Sequence, residues 1–238
     1  MTAMLILAFD TTNERGGAGV FRGTECLALA ENSGGANYSV SIFQMVDRLL
    51  AEARLKHSNI DCFAVANGPG SFTGIRVGVA AAQGWATTFG RPVCGVSTLE
   101  ALTVQAQPQT EWAVPILDAR RGEFYAGIFK REAGSSPGTY ALQGEAWISK
   151  PHQLTETLAQ SIPAGATLEC LTRAHDQAAG RFADTLPKAI HRHSVPGLLV
   201  PAIARIALEA DAGGKLQSPA ELDACYIRRT DAELNWRE

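Results

Sequence analysis

The chain has 238 residues, of which 46% are hydrophobic and 19% charged, with a formal net charge of −3. That composition is globular and excludes a disordered or collagen-like chain; the length suffices for one large core or for two lobes of about 100–150 residues. The acidic balance excludes a generic nucleic-acid binder, which needs clustered Lys and Arg, and no apolar run nears the roughly 20 residues that span a bilayer.

Leu5 to Phe9 reads as a strand ending at Asp10-Thr11-Thr12. Gly16 to Phe21 and Glu25 to Glu31 follow as two more strands, joined by Arg22-Gly23-Thr24, so the chain opens with three strands in hairpin order. Ser39 is placed to cap a helix whose apolar positions Ile42, Met45, Val46, Leu49, Leu50 and Ala53 keep a three-four spacing. Phe43 lies beside that stripe and widens it, enough for the helix to cover its own sheet and also meet a partner.

Cys62 to Ala66 is a short buried strand, and it delivers the chain into Gly68-Pro69-Gly70-Ser71-Phe72-Thr73-Gly74-Ile75-Arg76. Three glycines and a proline in seven residues suit a backbone that turns sharply or lies close to something. The first N–H groups of a helix lack partners within it and carry the positive end of its dipole, so a glycine loop entering a helix is a ready anion site. Asp10, Thr11 and Thr12, with Gly68, Gly70, Ser71, Thr73, Gly74 and Arg76, form the candidate phosphate-handling set. The alternative is a tight turn packed by its own backbone, since the loop has neither the Lys-Ser/Thr of a P-loop nor the dinucleotide glycine spacing. The following helix, Ile75 to about Phe89, carries Gly78 and Ala82 on one small-residue face, where another backbone approaches closely.

Pro92 to Val96 is a strand, and Ser97-Thr98-Leu99-Glu100 reads as a capping box opening the next helix. The order then recurs. Trp112 to Leu117 is a strand ending in Asp118, followed by Arg120-Arg121-Gly122, a strand from Glu123 to Lys130 and a weaker one around Tyr140 to Ile148, with a hairpin tip at Ala133 to Thr139 between them. A helix after Pro151, a strand at Thr167 to Leu171, a helix near Ala178 to Leu186, a short strand near Ala189 and a helix from Leu198 to about Ala210 complete the second half. The expected domains are therefore 1–106 and 107–238, related by duplication.

The catalytic inventory is thin. The five cysteines, Cys26, Cys62, Cys94, Cys170 and Cys225, form no C-x-x-C pair and none sits in an electropositive context, which reads as reduced, cytosolic usage. The five histidines make no H-x-x-x-H or H-E-x-x-H pattern, and no metal site is expected. Strand-ending aspartates in duplicated lobes fit phosphoryl-transfer enzymes or turn capping; Arg120 and Arg121 favour the structural role at Asp118.

Ile6-Leu7-Ala8-Phe9-Asp10-Thr11-Thr12, the block from Gly68 to Ala86, Gly95 to Leu102, Asp118-Ala119-Arg120-Arg121-Gly122-Glu123 and Tyr226-Ile227-Arg228 together resemble the bacterial TsaB (YeaZ) family. The resemblance implies an α/β actin-like ATPase (ASKHA, ribonuclease H-like) fold of two duplicated lobes, each a mixed sheet flanked by helices. It also implies a cytoplasmic, non-catalytic subunit in threonylcarbamoyladenosine synthesis on tRNA. That subunit pairs with the metal-bearing paralogue TsaD through the helices at Ser39 to Arg54 and Gly74 to Phe89, with the ATPase TsaE joining them. On that basis Ile42, Met45, Val46, Leu49, Gly78 and Ala82 are the expected partner face and tRNA is met mainly through the complex, while a homodimer of the chain alone is allowed but not specified by the sequence. ATP or ADP with Mg²⁺ at a subunit interface is the cofactor the resemblance allows. Two features depart from the family pattern: Tyr38-Ser39 stands where His-Ser is common, and Leu171-Thr172-Arg173-Ala174 replaces a glycine-rich turn. The alternatives are a stand-alone ASKHA kinase of a small metabolite and a peptidase of the glycoprotease superfamily.

Overall fold

The computed structural model describes residues 3–32, 37–132 and 139–228. It divides into two units, Met1–Gln105 with Gly197–Ala224, and Ala106–Pro196 with Cys225–Glu238.

The first unit is built on a five-stranded sheet in the order β3-β2-β1-β4-β5. β1 (Leu5–Asp10), β2 (Gly17–Arg22) and β3 (Glu25–Glu31) form an antiparallel meander, while β4 (Cys62–Gly68) and β5 (Val93–Ser97) run parallel to β1. Successive residues of a strand face opposite sides, and here both sides are covered, which is why β1 and β4 read as unbroken apolar runs. Leu7, Phe9, Phe63 and Val65 pack with α1 (Tyr38–Glu52) and α2 (Phe72–Phe89), whose buried stripes include Ile42, Val46, Leu49, Ile75 and Ala82. α6 (Val200–Ala212) lies against β1, β2, β4 and β5, burying Val200, Ile203 and Ala207. α3 (Thr98–Ala106) follows β5.

That placement of α6 corrects the linear division at 106/107. The helix follows the second unit in sequence, but its apolar stripe is spent on the sheet of the first.

The second unit repeats the plan. Its sheet runs β10-β7-β6-β11-β12, with β6 (Trp112–Asp118), β11 (Leu168–Arg173) and β12 (His191–Val195) parallel. β7 (Phe124–Ala126) and β10 (Trp147–Ser149) occupy the places of β2 and β3. The strand expected from Glu123 to Lys130 is two pieces, β7 and β8 (Phe129–Arg131), that pair with opposite ends of β6. The segment Tyr140 to Ile148 likewise splits into β9 (Tyr140–Leu142), paired with β8, and β10. α4 (Pro151–Ser161) and α5 (Gln177–Thr185) pack with this sheet through Leu154, Leu158, Ala179 and Phe182. The hairpin tip expected at 133–139 falls, apart from Thr139, outside the described residues. No helix among the described residues is long and apolar enough to cross a membrane.

Candidate functional site

β1 ends in Asp10, whose side chain is wholly buried. One carboxylate oxygen accepts from the Thr12 amide at 2.8 Å and the Thr12 hydroxyl at 2.6 Å; the other accepts from the Asn13 side-chain amide at 3.3 Å. The bond from an aspartate to the amide two residues on is the Asx turn that bends a chain away from a strand end. The bend is closed from the other side by Tyr38, the first residue of α1. Its hydroxyl accepts from Gly16 N at 2.8 Å and donates to Asn13 O at 2.9 Å.

The glycine loop meets this turn directly. Ser71, the N-cap of α2, donates its amide to Thr12 O at 2.7 Å, and its hydroxyl accepts from Gly74 N at 3.3 Å. The Thr11 hydroxyl donates to Gly74 O at 2.7 Å. A Cβ on Gly74 would lie 1.9 Å from Thr11 O, and one on Gly70 would lie 2.6 Å from Thr12 O. The close approach that the glycines permit is thus to the chain's own backbone. Gly68, at φ 122°, leads into Pro69 through a cis peptide bond.

The structure therefore brings Asp10, Thr11, Thr12, Gly70, Ser71 and Gly74 together and leaves Thr73 and Arg76 on the surface. Arg76 stacks on Phe72, its guanidinium carbon 3.8 Å from the ring centroid. Two of the amides around the loop, Ser71 N and Gly74 N, already serve Thr12 O and the Ser71 hydroxyl.

The same turn recurs in the second unit. Asp118 accepts from Arg120 N at 2.7 Å, and its own amide donates to Asp176 at 2.8 Å. Asp176 also caps α5 by accepting from Ala179 N at 2.9 Å. A carboxylate of the chain thus occupies the start of α5, where the family pattern has a glycine-rich turn.

The expected partner face needs correction. Ile42, Val46, Leu49 and Ala82 are fully buried within the first unit's own core, and Met45 is nearly so. Gly78 faces inward as well, since a Cβ there would lie 2.4 Å from the Thr11 hydroxyl oxygen. The stripe of a helix that sequence periodicity detects is the one spent on its own sheet. What α1 presents outward is Val40, 60% exposed, and Phe43, 45% exposed; Phe43 lies edge-on to Trp85 of α2 at 5.4 Å. On α2, Ala80 and Gly84 are exposed, and a Cβ on Gly84 would meet nothing. Sequence reasoning placed Phe43 at the margin of the stripe as a residue that lets the helix meet a partner, but it missed the closing role of Tyr38.

The thiols are poor nucleophiles. Burial pushes the Cys94 and Cys170 thiols up to about 12 and raises those of Cys62, Cys26 and Cys225, so each keeps its proton at neutral pH.

Two copies of one lobe plan, each a three-strand meander extended by two parallel strands and interleaved helices, define an actin-like ATPase fold. The solved structure of YeaZ from Pseudomonas aeruginosa superposes on 94% of this chain and 99% of its own at a TM-score of 0.74 and 22% identity. A model of the family described as TsaD, tRNA N6-adenosine threonylcarbamoyltransferase, matches residues 31–206, and the chain belongs to that family. The members it resembles are TsaB (YeaZ) proteins. It is 34% identical to TsaB of Bacillus subtilis over 131 residues, covering 55% of this chain and 57% of that one. It is 36% identical to TsaB of Haemophilus influenzae over 137 residues, covering 56% of each. The chain spans about half the length of the curated relatives it matches.

Proposed function

We propose that the chain is a cytoplasmic accessory subunit that supports a TsaD paralogue in transferring threonylcarbamoyl to the tRNA adenosine beside the anticodon, without reacting groups of its own. The observation that carries this reading is the closed turn at Asp10. Its carboxylate is bonded to Thr12 and Asn13, the Thr11 hydroxyl to Gly74 O, and the Ser71 and Gly74 amides to Thr12 O and the Ser71 hydroxyl. A site so occupied supports a packing role; ATP or ADP with Mg²⁺ would be held chiefly by the partner subunits. TsaE is the ATPase that joins them, and homodimerisation is the behaviour of the chain without its partner. Val40 and Phe43, large apolar side chains exposed on α1 beside Trp85, are the contact face in place of the inward-facing stripe. Buried aromatic anchors dominate most interfaces, and truncating one typically costs 2 kcal/mol or more.

The test is size exclusion and calorimetry of the full chain with the TsaD paralogue from the same cell. Association is expected, with Phe43→Asp weakening it by about 30-fold while leaving the unfolding midpoint of the free chain within a few degrees. Unchanged affinity in the variant would displace the contact face. Failure of the parent to associate, together with ATP turnover by the purified chain, would overturn the subunit reading in favour of a kinase.

A further inference from the structure

The turn between β6 and β7 spends an unusual backbone on two arginines. Arg120 and Arg121 have φ of 63° and 58°, and Gly122 follows at 74°. Glu123 N donates to Arg120 O at 3.1 Å, closing a turn whose central residues, Arg121 and Gly122, both have positive φ. Hairpin turns of that kind favour Asn-Gly, Asp-Gly or Gly-Gly, because side chains other than these crowd the left-handed region. Gly23 at φ 57° after β2 and Gly144 at φ 73° follow the rule, while Arg54 and Gln107 are single non-glycine residues at positive φ. Among the described residues, Arg120 and Arg121 are the one consecutive pair of non-glycine residues with positive φ. Strain retained at an exposed turn points to a need for the side chains themselves.

The tip is also rigidly mounted. β6 runs buried to Leu117, Ala119 is buried behind the turn, and Asp118 holds Arg120 N at 2.7 Å. Arg120, Arg121 and Gly122 are all exposed. The Arg120 guanidinium lies 3.9 Å from Asp118 Oδ2 with its side chain 75% exposed, so its charge is presented to solvent. Glu123, the next carboxylate, is neutralised by Arg228, so it does not offset the two arginines of the tip.

We propose that this arginine turn contacts the phosphodiester backbone of an RNA, as a positioning contact without base readout. The proposal rests on the tRNA-modification reading for its choice of RNA. Guanidinium forks pair with phosphate oxygens in bidentate fashion, and such contacts set register on the nucleic acid. A projecting turn suits a polymer backbone, whereas a free nucleotide is bound in a concave site. Two phosphates held here are compatible with the acidic whole chain, because the contact is local.

The test replaces the turn by residues its backbone prefers, Arg120→Gly with Arg121→Asn, in the full chain. The probes are a fluorescein-labelled tRNA transcript with adenosine beside the anticodon, an unrelated RNA of equal length, and ADP with Mg²⁺. The parent is expected to bind both RNAs at low salt, and the variant to bind each about tenfold more weakly. The slope of log affinity against log salt should become shallower by about 2, or about one per phosphate released. The variant's unfolding midpoint should rise by about 2–4 °C, since relief of left-handed strain acts on stability alone. A second variant, Arg120→Lys with Arg121→Lys, keeps the charge and should keep most of the slope, which separates charge from folding. The proposal is overturned if the parent binds neither RNA, if the glycine-asparagine turn leaves affinity and slope unchanged, or if that variant loses ADP alone. Each of these results leaves association with the paralogue to be decided independently.

Discussion

At the scale of single residues, Gly74 carries the distinction between a phosphate cradle and a packed turn. Were the glycine there for a ligand's approach, an added methyl would meet open space in the free chain. It would instead meet Thr11 O at 1.9 Å, with the Thr11 hydroxyl already bonded to Gly74 O. Gly74→Ala is therefore expected to destabilise the chain by about 2–3 kcal/mol, the range for overpacking against groups that cannot yield. Urea unfolding of the free chain measures it, and a stability unchanged within 0.5 kcal/mol, roughly the noise of a neutral surface change, would return the loop to a ligand-binding role. The glycine-rich loop was visible in the sequence because Gly and Pro punctuate a chain unmistakably. Which atoms the glycines admit was not, because Thr11 and Gly74 are brought together only when β1 and β4 pair in parallel.

At the scale of elements, α3 carries a buried charge that interacts with one on α6. Glu100, in the first turn of α3, is pushed above its ordinary 4.5 by burial first and by Glu209 of α6 second, with Lys215 partly offsetting both. Between 4.5 and that raised value the folded chain holds more of this proton than the unfolded chain does. Stability falls as pH climbs through the window, and the penalty is complete above it. Glu100→Gln should match the parent at pH 4 and exceed it at pH 7 in urea midpoint. A variant less stable than its parent at pH 7 would mean that the charge's interaction with the α3 N-terminus outweighs its desolvation. The sequence placed Glu100 at a helix start from its spacing to Ser97. It contains no sign that Glu209, more than a hundred residues on, lies near it.

Over the whole molecule, the chain leaves its first unit at residue 105 and returns to it at Gly197. The sheet face bearing Ile6, Ala8 and Ala64 is covered by a helix that the N-terminal segment does not contain. A fragment of residues 1–106 should consequently lack a cooperative thermal transition, while the same fragment joined to 197–224 through a flexible linker should regain one. Calorimetry distinguishes these, and a cooperative transition in the shorter fragment would show that α6 is dispensable. A fully buried Ile203 makes that outcome costly, since truncating such a residue alone takes about 2–5 kcal/mol.

Local and repeated information determined the elements of this protein. Alternation and helical spacing set the strands and helices, duplicated strand-ending aspartates marked two copies of one plan, and the motif blocks of the first half indicated the family. Each of these depends on neighbours along the chain, where side-chain periodicity follows directly from backbone geometry. Tertiary structure alone decided that α6 serves the first unit, that Ile42, Val46 and Gly78 face inward while Phe43 faces out, and that Thr11 and Thr12 bond to the glycine loop. A helical stripe announces that it will be buried but not against what. A glycine announces close approach but not to whom. Those partners are chosen by sheet order and register, which bring together residues whose separation in sequence carries no trace of the contact.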